Sequence, residues 1–295
     1  MSTSTSTPAA PAPAGHVRKN GPHLSFLRVL RSEWIKITTV PSTLILLACT
    51  LVVMVGIAAL LAWSLQTAQA QISSGGPAPQ MGPPGEPAPD IGDLARTTPA
   101  SGTVFGQLLI ASLAVVLIAS EWATGMIRST MVAVPKRIPA LLAKNAIAAV
   151  VSFLVGALAA LIAYFTVQPI LEVQDLGFVL TEDGVGASII NTGTFLALVA
   201  VISMGIGTLL RNTAGGIVTA VGVFFVLPVI VDLISGLADW IPDAARFLPS
   251  NAGNQLVAVT VEEGALTQLE GGLVLAAWAV VLLVASLLVT RKRDV

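Results

Sequence analysis

Long apolar stretches separated by short polar ones set the pattern of this chain. Five mostly apolar segments run at about 44–65, 146–167, 194–210, 215–234 and 272–290. A shorter sixth, at about 104–120, contains no charge. A helix needs roughly 17–25 mostly apolar residues to cross the hydrocarbon of a bilayer. In that medium every backbone N–H and C=O must pair internally, which leaves helices or closed barrels. The strict alternation of barrel strands is absent. The pattern therefore predicts an all-α polytopic membrane protein, with six transmembrane helices within residues 42–295.

The pieces between the spans differ in kind. Residues 1–23, rich in Ser, Thr, Ala and Pro, read as a disordered tail. They lack a short apolar stretch followed by a small-residue cleavage site, so the first span is expected to be an uncleaved anchor. Residues 24–41 read as an interfacial amphipathic helix. At about 100° per residue, Phe26, Leu27, Leu30, Trp34 and Ile37 share one sector, and Arg28, Arg31, Ser32, Glu33 and Lys36 lie outside it. The Pro- and Gly-rich stretch 69–103 is expected to be a flexible loop. The acidic stretch 172–186 reads as a solvated loop. Residues 232–271 mix Trp240, Ile241, Phe247, Leu248, Leu256 and Val257 with turn formers, and predict short external helices on or in the outer leaflet ahead of the last span, with a simple external loop as the alternative.

Within the spans, small residues recur at four-residue spacing: Ser152 and Gly156, Gly156 and Ala160, Ser203 and Gly207. Such pairs let helices approach closely. Pro228 should kink the fifth span. No span carries an ionisable residue near its centre, which weighs against an ion-coupled carrier. Gln107, Gln168 and Asn191, near span ends, are the available polar contacts, and the single cysteine, Cys49, reads as a small hydrophobe.

Composition sharpens this reading. Only 11% of the 295 residues are charged, against about 25% in a typical soluble domain. The formal net charge of −1 hides a division. When the segments between spans are assigned alternately to two sides, one side holds thirteen Lys and Arg and three carboxylates. The other holds Arg96 and Arg246 against thirteen carboxylates. Excess Lys and Arg marks the cytoplasmic side. The expected location is thus the cell membrane, multi-pass, with both termini cytoplasmic, and no preference for nucleic acid.

Several chemistries are missing from the sequence. A nucleotide-binding P-loop needs GxxxxGK[ST], and none of Lys19, Lys36, Lys136, Lys144 and Lys292 follows a glycine. His16 and His23 lie in the tail, and there is no HExxH or CxxC. The sequence predicts no enzyme activity, catalytic residue, cofactor or metal of its own.

The most informative segment is 121–145. It reads Glu121-Trp122-Ala123-Thr124-Gly125-Met126-Ile127-Arg128, then Val134-Pro135-Lys136-Arg137 and Lys144. Two further stretches accompany it, Arg31-Ser32-Glu33-Trp34-Ile35-Lys36 and Gly205-Ile206-Gly207-Thr208-Leu209-Leu210-Arg211-Asn212-Thr213-Ala214. In these three stretches, taken in order, the chain resembles the actinobacterial permease subunits of ATP-binding-cassette transporters, of the type-2 exporter class. Glu121, Gly125, Ile127, Arg128, Pro135, Arg137 and Lys144 match that pattern, while Met126 stands where Thr is usual. The resemblance implies a transmembrane half of an exporter. A second permease, identical or different, would enclose the pathway, and separate ATP-binding subunits would dock beneath. It also implies that 121–145 is a coupling loop. Glu121, Gly125, Arg128, Pro135, Lys136, Arg137 and Lys144 are then the candidate partner contacts, with Glu121 and Arg128 organising the loop through ion pairs or caps. The alternatives are an ion-coupled secondary carrier and a non-transport assembly or sensor protein of the membrane. The transported substrate is not encoded in any pattern found.

Overall fold

A computed structural model describes residues 26–77, 90–126, 137–261 and 264–292. The described residues form helices, without a strand, and six of these helical stretches are long and apolar enough to cross a membrane. The chain is an all-α polytopic membrane protein.

The first helix, α1 (Phe26–Thr39), is separated from α2 (Pro41–Ser73) by Val40 alone. Pro41 explains the break. Its ring pushes the preceding residue out of the helical region, and Val40 accordingly has φ −83° and ψ 115°. Pro41 itself fits the first turn, where its missing N–H costs nothing.

The helices run longer than the hydropathy pattern predicts, and the Pro-rich loop is correspondingly shorter than 69–103. Its first five residues continue α2, and residues 78–89 lie outside the described set. From Asp90 the chain is folded again as α3 (Ile91–Thr97) and a 3-10 turn, Thr98–Ala100. The Asp90 carboxylate accepts the N–H groups of Gly92 and Asp93 at 2.7 and 3.3 Å, capping α3. Ala95 is fully buried, and Ile91 and Leu94 pack against the α2 cluster of Ala58, Ala62 and Leu65. Averaging composition over the whole loop concealed this capped apolar turn.

The second span is completed by α4 (Thr103–Ala123), the third is α5 (Arg137–Leu171) and the fourth is α6 (Val185–Leu210). The fifth is interrupted. Helix α7 (Thr213–Val221) passes through one π turn, Gly222–Val226, into α8 (Leu227–Leu233). Where a kink at Pro228 is expected, the span carries a π turn just before the proline. Two short helices follow, α9 (Trp240–Ala245) and α10 (Pro249–Val257), before the last span, α11 (Gln268–Lys292).

The second and fourth spans form the centre: 61% and 67% of their apolar stretches are buried inside the protein, against 17%, 11% and 17% for the first, fifth and sixth. Close packing depends on glycine. A Cβ at Gly193 in α6 would lie 2.7 Å from the Phe153 carbonyl oxygen, and one at Gly156 in α5 would lie 3.1 Å from Gly193 Cα. The two glycines face each other at the α5–α6 crossing, where small residues let backbones approach.

The three span-end amides identified in the sequence all make contacts within the protein. Gln168 donates to the Phe178 carbonyl at 2.7 Å and Asn191 to the Leu256 carbonyl at 2.9 Å, while Gln107 meets Ser250. The acidic stretch 172–186 is thereby tied down rather than merely solvated. Phe178 packs edge-on against Tyr164, and Glu182 pairs with Arg96 at 2.8 Å.

Candidate functional site

The bundle has two ends. One carries α1, the end of α4, the start of α5 and the α6–α7 turn. At this α1 end, four charged side chains from three elements converge. Lys144, in the second turn of α5, places its Nζ 2.6 Å from Glu33 Oε2 and 2.9 Å from Glu121 Oε1. Lys36 Nζ lies 2.9 Å from Glu33 Oε1 and 3.1 Å from Glu121 Oε1. Two carboxylates and two ammonium groups alternate in a closed, neutral arrangement.

The local structure explains how they meet. Val29, Glu33 and Ile37 recur every four residues and form the buried stripe of α1. The sector expected to be the apolar face is therefore divided. Ile37 turns inward, while Phe26, Leu27 and Trp34 remain exposed. Glu33, which the helical projection assigned to the polar side, is instead only 3% exposed. Helix α4 delivers Glu121 in its last turn, and Lys144 follows on α5 after the segment between them.

Burial makes the arrangement energetically consequential. A carboxylate taken out of water is costly unless it is paired and hydrogen-bonded. For Glu33, burial pushes the carboxyl pKa up, but Lys144 and Lys36 more than offset this and leave it below its ordinary value. For Lys36, burial pushes the ammonium down, and Glu33 and Glu121 reverse the effect and hold it above its ordinary value.

The candidate residues read from the sequence fall into three groups. Glu121 and Lys144 are brought together, but at 5% and 6% exposure they offer a partner almost no surface. What they fix is the position of the end of α4 against the start of α5. Gly125 is exposed just past the end of α4, with φ +71° and nothing within 4 Å of a would-be Cβ. That left-handed conformation suits glycine at a helix end. Arg128, Pro135 and Lys136 lie outside the described residues, and Arg137 begins α5. The Glu121 carboxylate accepts from Lys36 and Lys144.

Sequence reasoning missed Glu33 and Lys36 as members of this site. A signal was present: Glu33 and Glu121 are two of only three carboxylates on the side that holds thirteen cations. An acid retained in so basic a set has a specific partner to neutralise.

A second contact joins the α6–α7 turn to the same end. Arg211 Cζ sits 4.0 Å from the centre of the Trp122 ring, in cation–π range. Arg211 adopts φ +53°, and Asn212 caps α7 by accepting the Gly215 N–H at 2.8 Å. The stretch 205–214 and the segment starting at Glu121 are thus adjacent in space.

No protein-family model and no curated protein matches the chain. Among the described residues there is no group of three or more His, Cys, Asp or Glu able to hold a metal. The chemistry available to the cluster is electrostatic clamping. It can hold three elements in register without moving an atom of substrate.

Proposed function

We propose that the chain is the membrane-spanning permease subunit of an ATP-driven exporter, with the α1 end in the cytoplasm. In this reading it lines the pathway with a second permease, and separate ATP-binding subunits dock on the segment between α4 and α5. Six apolar helices with uncharged centres and a sequence without a P-loop support a transporter whose energy comes from a partner.

The observation that carries the proposal is the ion cluster. A segment pressed by a docking subunit can transmit force only if both of its ends rest on a common rigid base. Glu121 stands in the last turn of α4, Lys144 in the second turn of α5, and both are tied to each other and to α1. The basic residues Arg128, Lys136 and Arg137 between them offer charge to an acidic docking surface.

The test is to purify the full chain with its native lipids, identify co-purifying P-loop proteins, and reconstitute the pair. Stimulated ATP hydrolysis and ATP-dependent efflux are expected. Arg128→Ala with Arg137→Ala should weaken docking while membrane insertion stays intact. A chain that purifies without an ATPase, and that drives flux from an ion gradient alone, overturns the proposal.

A further inference from the structure

The end of the bundle opposite α1 holds a different polar contact, and it begins with a missing hydrogen. Pro228 has no N–H, so the carbonyl four residues earlier, that of Phe224, loses its α-helical donor. The chain slips here into the π turn, in which the Leu227 N–H bonds to the Gly222 carbonyl five residues back. Phe224 is only 1% exposed, near the middle of the 25-residue fifth span. An unpaired carbonyl in such surroundings costs free energy.

The replacement donor comes from α10. Ser250, itself 3% exposed, donates its hydroxyl to the Phe224 carbonyl. Its oxygen also lies 3.1 Å from the Gln107 side-chain amide on α4. The rest of α10 is tightly seated on this side. A Cβ at Gly253 would meet the Phe195 ring at 2.1 Å, and one at Gly271 would meet the Ala252 carbonyl at 2.5 Å. On its other side, Asn251, Asn254 and Gln255 border an open cleft of about 670 Å³, shared with Asp232 and Asp243. Helix α10 is therefore wedged against four spans on one side and faces free volume on the other.

We propose that α10 and the break in the fifth span form one coupled conformational element, latched by Ser250 on the carbonyl whose α-helical donor Pro228 removes. Helix α10 cannot leave its seat without taking the Ser250 hydroxyl away from the Phe224 carbonyl. The break in turn cannot rearrange without losing the donor that α10 supplies. The two move together, into the volume of the cleft, or not at all. This inference concerns the opposite end of the molecule from the ion cluster and does not depend on the transport reading.

The test is a double-mutant cycle in the full chain in lipid nanodiscs, read by amide hydrogen exchange. Ser250→Ala should raise exchange on the order of tenfold in both 249–257 and 222–233, because a buried acceptor is left unmet. Pro228→Ala supplies a backbone N–H that can serve Phe224, so Ser250→Ala in that background should change exchange by less than about twofold. Gln107→Leu removes the other neighbour of Ser250 but leaves the latch, and should leave 222–233 protected. If Ser250→Ala fails to fold, recovery of folding in the Pro228→Ala double variant carries the same information. Equal effects of Ser250→Ala with and without Pro228, or loosening confined to α10, overturn the proposal.

Discussion

The Lys144 ammonium lies 2.6 Å from Glu33 Oε2, an ion pair between residues 111 positions apart in the chain. Both side chains are buried, and each has a further oppositely charged neighbour: Lys36 beside Glu33 and Glu121 beside Lys144. The pair fastens α1, which packs beside the membrane-spanning bundle, to the start of the third span. Buried ion pairs add little net stability over apolar replacements, yet breaking one is costly because a charge is left behind. Their contribution is therefore register, and it is exposed by removing one partner at a time.

Lys144→Ala should cost about 3–5 kcal/mol, since it leaves Glu33 and Glu121 sharing Lys36 alone. Removing both charges, as Glu33→Leu with Lys144→Met, should cost much less than the single change. Thermal unfolding in nanodiscs measures both. A single variant that melts within a degree of the parent chain would show that the cluster bears no strain.

The attachment of α1 should also depend on pH at both extremes. The Glu33 carboxyl is held below its ordinary pKa, so its contribution is present above the unfolded value and lost as pH falls through the folded one. The Lys36 ammonium is held above its ordinary pKa, so its contribution is complete below the unfolded value and lost as pH rises through the folded one. Amide exchange in α1 should be slowest on a plateau between these limits. Glu33→Gln should flatten the acid limb and Lys36→Met the alkaline limb. An α1 exchange rate that, after correction for intrinsic chemistry, is indifferent to pH would contradict the assignment.

The six spans were legible because hydrocarbon imposes a length and a composition that any reader of hydropathy can see. The ends of the helices were not, since caps such as Asp90 act through one side chain and vanish in a windowed average. Glu121 and Lys144 stood out in the sequence as members of one basic stretch. Their shared partner did not, because Glu33 belongs to another helix and looks solvated in a projection of α1 alone. The same applies at the far end. Pro228 announces a freed carbonyl, but nothing local to it names Ser250 as the donor.

The Trp122–Arg211 contact supplies a smaller prediction at the α1 end. Arg211→Gln should loosen the α6–α7 turn by about 0.5–2 kcal/mol, the range of cation–π pairs from exposed to desolvated sites. Arg211→Lys should retain part of that contribution. The quenching of Trp122 fluorescence by a spin label at 213, compared across the three proteins, reports the loosening. Identical quenching in all three would remove the contact from the account.

The α5–α6 crossing allows the sharpest packing test, because two glycines face each other with unequal room. At Gly193 an added Cβ meets a backbone oxygen, that of Phe153, at 2.7 Å, and a backbone atom cannot swing aside. At Gly156 the nearest atoms are the flexible end of Leu196 and the Thr192 carbonyl oxygen, both at 3.0 Å, so the backbone oxygen there stands 0.3 Å farther off than the one at Gly193. Replacing Gly with Ala inside a helix is intrinsically favourable by about 1 kcal/mol, which opposes the clash at both sites. Gly193→Ala should therefore destabilise by about 1–3 kcal/mol, while Gly156→Ala stays closer to neutral. Either change forces the helices apart, so the double variant should cost less than the sum of the two. Gly56→Ala in α2, where nothing lies within 4 Å of the new methyl, controls for propensity and should not destabilise. Thermal unfolding of the four proteins in the same lipid decides the matter: equal costs at 193 and 156, or strict additivity, would mean that the two helices do not meet at these glycines.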